Sequence, residues 1–494
     1  MDGVMIDEIS QRPVSIGKWT IIVFFAVLYA LISFVNHYTF RTFAWDLGIN
    51  NNAIWDYSHF RWNNCMLIDG PQFDNILSDH LTFYPLFFSP FIHLFGSYTM
   101  LVFQLLAILF GGLGVYKCTF LKTESEALSN LSLIAFFSMW GIFSALGFDY
   151  HDNVVAAMFV PWIYFYLLKE KMRSVLLFTL LVLIGKENMA LWTVFIGIGF
   201  VLRYWKDAGK RKIGLVVSAL GVLYFYLSVN VIIPAFSNAD RGYLHFNYAA
   251  LGMNFKEAFI RLLTDPVYVV KLLWINHTGE IDAIGIKAEL HEVFFLSGGI
   301  LLLFRPAWMI MLIPIYAQKL FNDDFTKWGI NSHYSIEFAP IIALGAYDVI
   351  GSWNKSLKFK LWIGAIVALL ALYMTISKID RRVSKWYTKE NVAFYDLSHY
   401  DQQFNVPLLH ETLKLIPDTA SVTASEVLVP HLAFRETIYL YPLGPGTSYV
   451  ALLDHDGTFP LNRQRIQEEI SRLKADSTWE TIHAANQLYI FRKK

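Results

Sequence analysis

The 494-residue sequence predicts an α-helical polytopic membrane protein with a small α/β domain at its C-terminal end. Three observations lead there. Apolar residues make up 55% of the chain and charged residues only 16%, against a usual charged share of about 25%. The apolar residues gather in long uncharged runs, the pattern of segments that cross a bilayer. Beyond residue 378 those runs shrink to strand length. The same figures exclude other classes. A disordered chain has too few hydrophobes to collapse, whereas Phe, Tyr and Trp alone reach 17% here. Two Cys cannot staple a secreted disulfide scaffold. Lys+Arg and Asp+Glu are both 40, so no overall field draws in nucleic acid.

The first element is the run Thr20 to Val35, behind a polar start containing Arg12 and Lys18. A helix of about 18 residues rises about 27 Å, close to the hydrocarbon thickness. No small-x-small cleavage site follows the run, so it reads as an uncleaved anchor. Further apolar segments lie at 98–117, 128–147, 153–168, 173–184, 188–203, 213–234, 291–304, 307–321, 335–351 and 359–377, giving about eleven transmembrane helices. With the N-terminus cytoplasmic, the basic clusters at 169–173, 203–212 and 355–360 fall inside, as the positive-inside rule requires. That arrangement favours a hairpin over one long helix at 173–203. It also puts Cys65 and Cys118 on opposite sides, where they cannot pair.

Three long pieces then lie outside: about 37–97, about 235–290, and everything after 378. Long ordered external loops usually carry function. In the first, the Pro-interrupted stretch after Asp79 and His80 reads as an interfacial helix at the outer leaflet. In the second, Phe255–Trp274 has the pattern of a surface helix. In the third, residues 420–425, 436–443, 448–454 and 487–493 read as strands. There too, 459–475 reads as an amphipathic helix with Ile466, Ile470 and Leu473 on one face. The expected division is a transmembrane domain at 1–378 and an extracytoplasmic α/β domain at 379–494.

The polar residues in this apolar setting are the candidates for chemistry. Asp46, among aromatics just past the first span, either serves as a base toward a hydroxyl or amide acceptor or caps the following helix. Asp79 suits a helix cap, and His80 a contact with lipid phosphate. Asp149, His151 and Asp152 crowd into one tight turn, GFDYHDN, where they are either solvated or line a cavity. Lys186 and Glu187 sit between apolar stretches, either ion-paired or lining a polar cavity. His333 and Glu337 are four apart, hence on one helix face. That spacing suits two ligands of a divalent cation, with Mg or Mn favoured by carboxylates, but a third ligand has to come from elsewhere. Arg241 and His245 offer donors for an anionic headgroup.

Taken in order, FAWDLGINNNAIWD, DHLTFYPLFFSPFIHLFG, FDYHDN, GKENMALW, RPAWMIMLIPIYAQKLFND and HYSIEFAPIIALGAY resemble a bacterial and archaeal predicted-membrane-protein family grouped with the GT-C glycosyltransferases. The motifs run from residue 40 to 350, and SVTASEVLVPHLAFRETIYLYP extends the match into the tail. The resemblance implies a GT-C-like fold and transfer of a sugar from a polyprenyl-phosphate-linked donor to a glycan, lipid or protein acceptor at the outer face of a bacterial-type inner membrane. Asp46 stands at the acidic position that acts as base in such enzymes. Where many members carry two adjacent acids, this chain has Asp46 alone. By the same analogy Asp149, His151, Lys186, Glu187 and His333 line the cavity. A transporter or flippase of a lipid-linked precursor, or a non-catalytic membrane scaffold, would account for buried charges as well. No inverted repeat of the transporter kind is seen.

Overall fold

The computed structural model describes residues 17–69, 74–237, 246–384, 386–444, 446–456 and 459–494. All the expected apolar segments are helical, but their lengths differ. Lys18–Tyr38, Tyr84–Thr123, Ala208–Phe236, His333–Ser352 and Leu357–Lys378 are long and apolar enough to cross a membrane. Glu126–Phe137 and Trp140–Phe148 make a sixth span if their 41° bend is counted as one crossing. Asp152–Leu168, Met172–Leu183 and Glu187–Arg203 are shorter. The expected spans at 291–304 and 307–321 are chains of short helical pieces. Gly298, at φ 108°, separates Ile286–Leu296 from Gly299–Phe304, and Pro306 and Pro314 each open a further piece because proline has no N–H for a preceding turn. The break between Leu183 and Glu187 supports two helices in 173–203 rather than one.

The stretch after His80 forms short helical pieces, Tyr84–Phe88, Ser89–Phe91 and Ile92–Phe95, and Gly96 at φ 55° sets them off from the helix Thr99–Thr123. One expectation needs correction. Phe255–Trp274 is two helices, Phe255–Thr264 and Pro266–Leu272, with the Asp265 carboxylate capping the second.

The tail forms a five-stranded mixed sheet in the spatial order Ile438–Leu440, Val422–Ala424, Tyr449–Leu453, Leu488–Lys493, Trp479–Ala485. The first three strands are parallel and the last two pair antiparallel. Four of the strands match the expected runs. The fifth, Trp479–Ala485, is an edge strand whose side chains stay largely outside the core, so it left no apolar signal. The amphipathic helix starts at Arg463, capped by the Asn462 side chain, and does bury Ile466, Ile470 and Leu473.

This sheet does not stand apart from the membrane region. Phe40, Ala53, Cys65 and Leu81 of the first loop share one buried core with Leu409, Val422, Leu440 and Ile490. The helix Ile49–Ser58 is tied to the tail by amides. Asn51 Nδ2 donates to the Pro430 carbonyl at 3.1 Å, and Asn52 Nδ2 to those of Ala433 and Arg435 at 3.1 and 3.0 Å.

Charge is sorted along the helices. At the C-terminal ends of Thr99–Thr123, Glu187–Arg203 and Phe338–Ser352, the buried Asp348 pairs with Lys122, Arg203 (3.3 Å) and Arg305 (3.8 Å). The Trp308 indole N–H adds a hydrogen bond to it at 3.0 Å. The N-terminal ends of the last two helices carry Glu187 and, just before Phe338, His333 and Glu337. Glu187 and Arg203 are the two ends of a 17-residue helix, about 24 Å apart at 1.5 Å per residue. The carboxylate and imidazole groups thus face one end of the bundle and the basic cluster the other.

Candidate active site

Asp46 lies in a wide single turn, Ala44–Gly48, that leads directly into Ile49–Ser58. Wide turns of this kind are frequent at functional sites. Gly48 is needed there, because a Cβ would come 2.9 Å from Val429 Cγ1 of the tail. Asp46 caps no helix with its side chain. Instead its Oδ1 lies 3.0 Å from His151 Nε2. A carboxylate can only accept, so His151 presents Nε2–H to it. Asp46 is 25% exposed and His151 only 9%, and Asp46 Oδ2 has no hydrogen bond among the described residues. The acid is therefore the accessible member of the pair.

His151 is held on its other faces. Its ring stacks on His333 (centroids 3.5 Å apart, 18°) and on Phe148 (5.1 Å, 17°). Burial lowers its pKa, Asp46 pulls it back up, and the nearby Lys186 charge lowers it further. Behind it the buried Gln104 grips the turn backbone, donating to the Asp149 carbonyl at 2.8 Å and accepting from His151 N–H at 2.9 Å. Gln104 was missed in the sequence reading; a lone amide inside the 98–117 apolar run was the available signal.

Asp149 clamps the two loops together. Its Oδ2 accepts from Phe43 N–H at 2.8 Å and its Oδ1 from Tyr150 N–H at 2.7 Å. Its backbone sits at φ 147°, a strained region for a non-glycine residue, of a kind that clusters at functional sites. Burial first, and the Asp46 carboxylate second, raise its pKa well above the ordinary value, against the pull of the backbone N–H groups.

His333 and Glu337 are not on one face of a helix. His333 belongs to the short turn His333–Ser335, and the helix proper starts at Phe338. Asn153 joins them instead: its Nδ2 donates to Glu337 Oε1 at 3.1 Å and to the His333 carbonyl at 3.4 Å. The turn is pressed against Trp140–Phe148, where a Cβ on Gly141 would approach the Ser335 carbonyl to 2.3 Å.

Glu187 pairs with His80 rather than with Lys186. Its Oε1 is 3.0 Å from His80 Nδ1, and its Oε2 accepts from Leu81 N–H at 3.2 Å. Phe83 N–H donates to the Ile184 carbonyl at 3.0 Å, so residues 80–83 are docked on the 184–187 break. Lys186 is half-buried, with no hydrogen bond or ion pair among the described residues. Its charge acts on His151, Glu187 and His333. Asp79 ends the short helix Ile76–Asp79, whose cap is Asn75, and it does not cap the helix from Tyr84. Arg241 and His245 lie outside the described residues.

Among the described residues no three His, Cys, Asp or Glu side chains converge as ligands for a divalent cation, and Glu337 Oε1 accepts from an amide N–H.

The fold and the site define a polytopic membrane protein with a carboxylate–imidazole pair set between its first loop and a helix-end cluster of polar residues. The family described as "Predicted membrane protein (DUF2079)" matches residues 36–489, and the chain belongs to it. No curated protein matches the sequence. Among solved structures, the chain is similar to the Archaeoglobus fulgidus oligosaccharyltransferase tethered with an acceptor peptide, at 14% identity and a TM-score of 0.39. The apo form of that enzyme gives 11% and 0.40. A mycobacterial arabinofuranosyltransferase, AftD, gives 13% and 0.41, over 95% of this chain and 41% of that one. The match to the tethered oligosaccharyltransferase covers 85% of this chain and 64% of that one, and to its apo form 86% and 64%.

Proposed function

We propose that the protein is an inverting membrane glycosyltransferase that takes its sugar from a polyprenyl-phosphate-linked donor. The acceptor is a nucleophile of a glycan, lipid or protein at the outer face of the membrane. The observation that carries the reading is Asp46: one carboxylate oxygen is fixed by His151 and the other is open at the mouth of an otherwise buried polar cluster. In the step proposed, the acceptor oxygen attacks the anomeric carbon and its proton passes to Asp46 Oδ2. The anomeric carbon–oxygen bond breaks, and its electron pair leaves with the polyprenyl phosphate. A base placed in this way contributes about 10²–10⁴-fold. Lys186, a cation with no carboxylate bound to it, suits the charge that develops on the leaving phosphate. Asp149 and Gln104 position the two loops and do not touch the reacting atoms. The basic cluster around Asp348, at the opposite helix ends, supports a cytoplasmic placement of that end and an outer placement of Asp46.

The test is transfer by the purified protein in liposomes. A polyprenyl-phosphate hexose with a radiolabelled sugar is the donor, and membranes from cells lacking the protein are the acceptor source. Labelled product is expected from the native protein and a loss of at least a hundredfold from Asp46→Asn. Undiminished transfer by Asp46→Asn removes the role given to this residue. Translocation of the labelled lipid without transfer overturns the enzyme reading in favour of a flippase.

A further inference from the structure

Beside the Asp46 turn, between the first loop and the tail, the structure holds a cavity of about 480 Å³. That is within the range of about 300–1,000 Å³ for small-molecule sites. Phe40, Phe43 and Val427 are the apolar residues of its lining, and the other twelve are polar or charged by type, although carbon makes up more of the lining surface than polar atoms do. Such a lining suits a ligand with hydroxyl groups and C–H faces.

Charge narrows the ligand further. Glu390, Asp401, Glu426 and Asp456 face the space against one guanidinium, that of Arg41. Four of the five Arg41 N–H groups are spent on the carbonyls of Ser398, His399 and Asp401 and on Thr39 Oγ1, which leaves only Nε–H for a phosphate. Arg463 pairs with Asp456 at 3.2 Å without lining the cavity. An anionic ligand therefore meets repulsion.

A buried donor points to a bound partner. Asn391 is 3% exposed, and its Oδ1 accepts from the Thr388 N–H and hydroxyl at 3.1 and 2.7 Å. Its Nδ2 has no partner among the described residues although the residue lines the cavity. An unmade buried donor is costly, and a ligand hydroxyl that reached it would satisfy it.

We infer that this cavity binds an uncharged saccharide, which serves as the hydroxyl acceptor three residues along the chain from Phe43 at Asp46. The acceptor role rests on the transferase function proposed above; saccharide binding does not.

The two are separated by one experiment. The full-length protein in lipid nanodiscs is applied to a glycan microarray carrying neutral hexose and N-acetylhexosamine oligosaccharides beside uronic-acid and phosphorylated counterparts. Binding to neutral glycans is expected, and it is weakened at least fivefold in Asn391→Ala. Gln403→Ala, at an exposed lining position bonded only through its backbone carbonyl, is expected to weaken it too and guards against misfolding of the first variant. Glu390→Gln with Asp401→Asn is expected to admit the anionic counterparts. No neutral binding above empty nanodiscs, a preference for anionic glycans in the native protein, or full affinity in both weakening variants overturns the inference. Binding without any transfer leaves this inference standing and removes the transferase.

Discussion

Asp149 offers a decisive test of how the site is held. Its two carboxyl oxygens accept the Phe43 and Tyr150 N–H groups, both buried. Asp149→Ala leaves two buried donors without acceptors, at about 1–3 kcal/mol each, or about 2–6 kcal/mol in all. Asp149→Asn keeps one oxygen and places an amide NH₂ against the second donor, so about half of that loss is expected. The pH dependence discriminates further. The folded-state pKa is raised by burial and by Asp46, whereas the unfolded value is about 3.9. The folded state thus holds the proton more tightly, and the stabilisation is fully present below pH of about 4. It is lost as pH rises toward the raised folded value, by up to about 1.4 kcal/mol per pH unit. Asn has no such proton to lose. In thermal unfolding in detergent from pH 4 to 8, the advantage of the native protein over Asp149→Asn should shrink as pH rises. An advantage that grows with pH would mean that the backbone N–H groups hold the charged form, and would refute the assignment of burial as the dominant cause.

Other outcomes follow from the same geometry. His80→Ala removes the ring that faces the buried Glu187 and should cost about 3–5 kcal/mol, read as a fall in unfolding midpoint that Glu187→Gln in the same chain partly restores. Asp348→Asn leaves Lys122, Arg203 and Arg305 gathered around a neutral amide and should destabilise by a similar amount, with partial rescue by added salt in the same melt. Gly141→Ala drives a Cβ to 2.3 Å from the Ser335 carbonyl, so the turn bearing His333 must shift. Transfer activity should fall tenfold or more while the protein remains folded by circular dichroism. Lys186→Met should raise the KM for the lipid-linked donor with a smaller change in affinity for neutral glycans, measured by initial rates and by array binding.

The membrane class and the helical segments were legible in the sequence because hydropathy reports directly on bilayer residence. Span length was not. Pro306, Pro314 and Gly298 interrupt helices that composition alone reads as continuous, and short helices such as Met172–Leu183 are apolar for packing as much as for crossing. In the site, Asp46, Asp149, His151, Lys186, Glu187 and His333 were all marked by charge or imidazole in an apolar setting, and the structure gathers them. Their pairings were not marked. Glu187 meets His80, 107 residues away, and Asp46 meets His151, 105 away. The residues that join the loops, Gln104, Asn51, Asn52 and Asn153, are amides whose partners are mainly backbone carbonyls. A carbonyl exists at every position, so such bonds leave no pattern in sequence.

That division has a physical logic bearing on the site. A buried charge needs a partner of complementary chemistry, and the side-chain types needed are few, so the ionisable members of a polar cluster announce themselves. Here nearly every such group is matched: Glu187 by His80 and Leu81 N–H, Asp149 by two backbone N–H groups, Glu337 by Asn153. Among the described residues the buried Lys319 ammonium and the Nδ1 atoms of His151 and His333 also lack partners, but Asp46 Oδ2 and the Lys186 ammonium are the open pair on part-exposed side chains, one an acceptor and one a cation. A purely structural cluster gains nothing from leaving these two incomplete. The transfer proposed above, which passes a proton from one molecule and releases an anionic leaving group from another, needs one of each. On that proposal the surrounding pairs hold both open groups where folding alone would have closed them.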